Sequence, residues 1–100
     1  MNRVNLKLSV QRALIGQVPA SLRFLYVFFT EDTLNFHAVF TADASDEDIE
    51  AVSIAATEVI SDCKHNVQLN ELYEKDSSKS WKIGNGENLM FLRYGELSVT

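Results

Sequence analysis

Few side chains in this sequence of 100 residues are equipped for chemistry at neutral pH. His37 and His65 are its only imidazoles and Cys63 its only thiol. A nucleophile needs a base beside it, and a general base needs a tuned proton affinity. Cys63-Lys64-His65 sets thiol and imidazole two positions apart, but a metal site takes about four ligands and no further Cys or His group completes one. Glu58 and Asp62 stand at i, i+4, a spacing that suits an acid–base pair but equally a plain solvated helix face. Gly84 and Gly86 do not extend to GxGxxG and precede a strand instead of a helix, so they make no phosphate cradle. Trp81, beside a loop, reads as a core plug. His37 reads as structural, His65 as a charge at a helix end, and Cys63 as a small core residue. No catalytic, cofactor or metal site emerges, and the expectation is a protein that is not an enzyme.

The carboxylates form a second pattern. Asp43, Asp46, Glu47, Asp48 and Glu50 crowd one helix start, and Glu71, Glu74 and Asp76 follow along a strand and into its loop. Helix capping accounts for the acids of a first turn. It accounts poorly for Asp43 and Glu50, and the second group has no capping role. By segment, residues 1–30 carry +4, residues 31–76 carry −10 and residues 77–100 carry +1, within a total of −5. An acidic middle repels a phosphate backbone, so no direct nucleic-acid binding is expected, and a basic protein partner is the natural match.

Composition places limits on the rest. Apolar residues make up 46% and charged residues 23%, which is ordinary globular usage and enough for one core, residues 1–100 forming a single domain. The longest apolar run, Phe24-Leu25-Tyr26-Val27-Phe28-Phe29, is far short of the about 20 residues needed to cross a bilayer. Met1-Asn2-Arg3-Val4-Asn5 has no apolar core of a secretory signal, and a lone cysteine suits a reducing compartment. A cytoplasmic protein without a membrane association is expected.

Several elements must position these side chains. The opening stretch alternates like a strand at Val4, Leu6, Leu8 and Val10 and also fits a helical stripe through Leu6, Val10, Ala13 and Leu14; Gly16 and Pro19 as stop signals favour a helix over about residues 4–15. Residues 21–29 read as a strand apolar on both faces, either covered twice or meeting a partner. Thr30-Glu31-Asp32-Thr33 suits a turn, and Leu34, Phe36, Ala38 and Phe40 give the next strand one clear core face. Ser45 is the expected N-cap of a helix near 46–63, with Ser45 and Asp48 at capping-box spacing and Ile49, Val52, Ala56, Val59 and Ile60 on one buried stripe. Lys64 and His65 are expected to close that helix. Residues 66–74 look like a strand near an edge, and 87–94 like a last strand. The expected fold is α+β, two layers in the order α-β-β-α-β-β, an antiparallel sheet packed against two helices.

Four segments resemble a known group. Ser9-Val10-Gln11-Arg12-Ala13-Leu14-x-Gly16, Leu22-Arg23, Ala56-Thr57-Glu58-Val59-Ile60-x-Asp62 and Leu92-Arg93 are similar to segments of small bacterial immunity proteins of contact-dependent growth inhibition and related polymorphic toxin systems. Residues 75–88 depart from that pattern, being Ser-, Lys- and Gly-rich where relatives carry a shorter proline-containing segment. The resemblance implies a cytoplasmic inhibitor that binds the C-terminal domain of a cognate toxin, a basic nuclease, without catalysis of its own. Candidate contacts on that reading are Asp43, Asp46, Glu47, Glu50, Glu71, Glu74 and Asp76. The alternative is a regulatory or structural interaction domain, a homodimer joined through the two-sided apolar strand.

Overall fold

The computed structural model describes residues 3–63 and 66–96. Lys64 and His65, expected at the end of the second helix, lie outside the described residues. The elements run α1 (Arg3–Leu14), β1 (Leu22–Thr30), β2 (Thr33–Phe40), α2 (Asp46–Ser61), β3 (Gln68–Lys75) and β4 (Leu89–Leu92), with two short 3₁₀ turns at Trp81–Ile83 and Gly86–Asn88. The opening stretch is thus helical, and Gly16 just beyond it has φ +78°, the left-handed conformation glycine adopts at helix ends.

The sheet has four strands in the order β3-β2-β1-β4. β1 pairs antiparallel with both β2 and β4. β3 pairs parallel with β2, from Thr33 opposite Gln68 to Phe40 opposite Lys75. The α+β class therefore holds and the expected element order holds in part, with two 3₁₀ turns between β3 and β4, but the sheet is mixed and not antiparallel as expected. α2 carries the chain back along β2, so the strand that follows starts where β2 starts and runs the same way, the crossover that parallel pairing requires. β3 and β4 consequently sit at opposite edges and form no hairpin. β3 is an edge strand, as its half-polar alternation implied.

Both helices lie on one face. Leu6, Val10, Ala13 and Leu14 of α1 and Val52, Ala55, Ala56 and Val59 of α2 pack on Leu25 and Val27 of β1 and on Leu34, Phe36, Ala38 and Phe40 of β2. Ser45 caps α2 with the full reciprocal box: its side chain accepts from the Asp48 backbone N–H, and the Asp48 carboxylate accepts from the Ser45 backbone N–H. Cys63 packs against this core half-buried, and burial raises its thiol pKa, so it behaves as a small apolar residue.

The other face of β1 is covered by the chain's own return. Between β3 and β4, residues 76–88 pass beneath the sheet and bring Trp81 and Leu89 against Phe24, Tyr26 and Val39. The Tyr26 hydroxyl donates to the Trp81 carbonyl. This crossing explains why β1 is apolar on both sides, and it leaves no bare face there for the homodimer expected through that strand. Gly84 permits the close approach: a Cβ there would stand 3.0 Å from Tyr26 Cε1. Gly84→Ala is expected to push the segment off the ring at about 1–3 kcal/mol, read as a lower urea midpoint with an unchanged m value.

Candidate functional site

The parallel crossover gathers carboxylates from separate parts of the chain at one end of the sheet. β2 ends at Phe40, the loop 41–45 turns into α2, and β3 ends alongside. The Asp76 backbone N–H donates to the Phe40 carbonyl at 2.9 Å, and the Ala42 N–H donates to Ser77 Oγ at 2.8 Å. These two bonds hold the end of β3 beside the start of α2. Lys75 Nζ stands 3.7 Å from Asp46 Oδ1 across the same seam. Asp43, Asp46, Glu47 and Glu50 are all exposed here.

Not every acid at this end is available. Asp48 is held by the Ser21 hydroxyl at 2.8 Å as well as by the cap, and Ser21 above all keeps its carboxyl below the usual range. Asp76 Oδ1 accepts from the Ser78 N–H and hydroxyl and from the Lys79 N–H, a turn that likewise lowers its pKa. Asp43 accepts only the short-range bond from Thr41 Oγ1, 2.6 Å. Between this loop and the start of β1 lies a shallow concavity of about 390 Å³, lined by Ala20, Ser21, Thr41, Asp43, Asp48 and Arg93. Its lining sets the Asp43 carboxylate and the already bonded Asp48 beside the Arg93 guanidinium.

The strand group divides. Glu71 points to the helix side, where its Oε1 accepts from the Ser53 and Tyr73 hydroxyls. Burial first, and this carboxylate second, raise the Tyr73 pKa, keeping the phenol protonated. Glu74 points to the opposite face and is half-buried against His37 and Lys79, with Lys79 Nζ at 2.7 Å. Lys79 first and His37 second hold its carboxyl below the usual range. Of the seven candidates, Asp43, Asp46, Glu47, Glu50 and Asp76 share one end, while Glu71 and Glu74 project from opposite faces of β3. His37 is accounted for as a partner of Glu74.

A buried ion pair beside this end was not singled out from sequence. Arg23, at 2% exposure, donates from Nε and Nη2 to both oxygens of Glu96, at 3.1 and 2.8 Å, and Glu96 is itself 3% exposed. Arg23 Nη1 also donates to the Asp76 carbonyl at 2.7 Å, and Arg93 Nη2 donates to Glu96 at 2.8 Å. The signal was present: Arg23 is a lone charge inside a strand apolar on both faces.

Among the described residues no group of three or more His, Cys, Asp or Glu side chains is placed to hold a metal ion. No described helix is long and apolar enough to cross a membrane. The arrangement offers a charged surface for binding. Comparison with known proteins gives one family match, to the MafI2 immunity protein, over residues 3–95. No curated protein matches the chain.

Proposed function

Because the chain belongs to the MafI2 immunity protein family, we propose that it neutralises a cognate toxin by binding the toxin domain through the acidic end of its sheet. The observation that carries this reading is the exposed set Asp43, Asp46, Glu47 and Glu50, assembled by the β2–α2 turn and extended by the end of β3. A toxin that cuts nucleic acid needs a basic surface for phosphate, and carboxylates fixed on a rigid turn compete for that surface. We therefore assign the partner as a basic nuclease domain met in the cytoplasm. The contact is centred on Asp43, Asp46, Glu47 and Glu50, with Asp76, Glu71 and Glu74 at its margin. The inhibitor needs no catalytic residue, cofactor or nucleic-acid contact of its own for this task.

Stopped-flow association with a candidate toxin domain taken from a neighbouring gene tests the assignment. The association rate should fall steeply as salt rises, since charges attract across about 8 Å at physiological ionic strength and less above it. An association rate indifferent to salt removes the acidic surface as the contact. Failure to bind that domain at all overturns the proposed function.

A further inference from the structure

The outer side of β3 is a free sheet edge. Its ladder with β2 is regular from Gln68 to Lys75, without a bulge. The Gln68 N–H donates to the Asp32 carbonyl at 2.8 Å, and the Asp76 N–H donates to the Phe40 carbonyl at 2.9 Å. Backbone groups alternate in direction along a strand, so Gln68, Asn70, Leu72 and Glu74 turn theirs toward β2. Leu69, Glu71, Tyr73 and Lys75 turn theirs outward, and among the described residues no strand pairs with them.

Proteins commonly blunt such an edge with a proline, a bulge, a very short strand or a covering segment. β3 has eight residues, no proline and no irregularity. What guards it is charge. Ser53 of α2 donates to Glu71 at 2.7 Å, and Asp46 at the start of α2 stands by Lys75, so α2 runs antiparallel to β3 along this flank. Glu50, about one turn before Ser53, stands on the same flank near the height of Tyr73. Asp46, Glu50 and Glu71 are exposed beside the free edge, with Lys75 as the one cation of β3. On the strand's other face Leu72 is 49% exposed.

A second copy on this edge would bring two acidic flanks together, whereas a basic chain meets opposite charge. The edge is also continuous with the acidic turn, because the end of β3 is bonded beside the start of α2. We propose that the toxin domain adds an extended segment of its own to β3 as a fifth strand of the sheet, with basic side chains on the α2 side and an apolar one against Leu72. This inference rests on the toxin reading and gives it a mode of binding. The acidic turn attracts the partner, and the outward N–H and C=O groups of Leu69, Glu71, Tyr73 and Lys75 hold it by main-chain hydrogen bonds. That bonding does not require the Glu71 carboxylate, which already accepts from the Ser53 and Tyr73 hydroxyls. The strand extends the contact at the turn and is not an interface by itself.

Residue-resolved amide hydrogen exchange of the full chain, free and with the candidate toxin domain from a neighbouring gene, reads the added strand directly. The expected result is an alternation. Exchange at Leu69, Glu71, Tyr73 and Lys75 should slow at least about tenfold on binding, while Asn70, Leu72 and Glu74, already bonded to β2, change little. Two variants at one position separate backbone from side chain. Glu71→Pro deletes an outward N–H, which an edge strand tolerates, and should raise the toxin Kd at least about tenfold. Glu71→Gln keeps that N–H and should stay within about threefold. Circular dichroism checks that the proline variant is folded; if it is not, the exchange pattern of the wild-type chain decides alone. A bound toxin domain that leaves the four amides exchanging as in the free chain overturns the proposal and leaves the toxin reading intact. So does protection of the same amides that grows with the concentration of the chain alone, which marks a second copy on the edge. Absence of any binding overturns the toxin reading itself, and this proposal with it.

Discussion

Glu96→Leu is expected to destabilise this protein by about 3–5 kcal/mol, the usual cost of stripping one member from a buried ion pair. The substitution leaves the Arg23 guanidinium, at 2% exposure, with only the Asp76 carbonyl as acceptor. Domains of this size are stable by about 5–15 kcal/mol, so much of the margin would go. Arg23→Met should cost less, because Arg93 still pairs with Glu96. The double variant, with both buried charges replaced by apolar side chains, should return close to wild type, since no charge is left stranded. Thermal unfolding separates the three, at about 4–8 °C of Tm per kcal/mol. A Glu96→Leu variant that melts with wild type, or a double variant worse than either single, would show that the pair does not hold the fold. Acid acts on the same bond. The Arg23 hydrogen bond above all holds the Glu96 carboxyl below its ordinary 4.5. Its contribution is therefore whole above that value and is lost as pH falls through the lowered folded value.

Reversal of the acidic turn should have the larger effect on function. D46K, E47K and E50K together are expected to abolish protection in cells carrying the toxin while the protein still folds, with Tm lowered by roughly 5–15 °C, because all three positions are exposed but Asp46 and Glu47 stand in the first turn of α2, where the helix dipole disfavours a cation. A carboxylate that loses its water facing Arg or Lys is worth about 2–5 kcal/mol on truncation, which is roughly 30- to 4000-fold in Kd. Reversal adds repulsion to that loss. By contrast Glu71→Gln and Glu74→Gln, which stand on separate faces of β3, should change toxin Kd by no more than about threefold. Full protection by the triple variant would move the contact elsewhere on the molecule.

The parts of the fold carried by local pattern were legible in the sequence. β2 announces its core face through Leu34, Phe36, Ala38 and Phe40, and α2 through a capping box and a 3-and-4 stripe. Strand direction has no such signature. The alternation of β3 is the same whether it runs with β2 or against it, and only the helix between them dictates the parallel pairing. The candidate site was legible as a list of acids, and not as a place. Whether Asp76 adjoins Asp46 depends on that same direction, and nothing local distinguishes Glu74, neutralised by Lys79, from Glu47, which is not. The Arg23–Glu96 pair spans 73 residues and is invisible to any window shorter than the chain.

The passage of residues 76–88 beneath the sheet has a consequence for the order of assembly. β1 pairs with β2 across a tight turn, but its other edge and its second face wait for β4 and Trp81, which are made only after β3. Closing so long a loop is slow in proportion to its entropy, and contacts of large sequence separation set the folding rate. A chain still on the ribosome, with residues through β3 exposed, holds Phe24, Tyr26 and Val39 bare to solvent. Chaperone demand should therefore last until Trp81 and β4 have emerged, and truncations before Trp81 should be found in inclusion bodies.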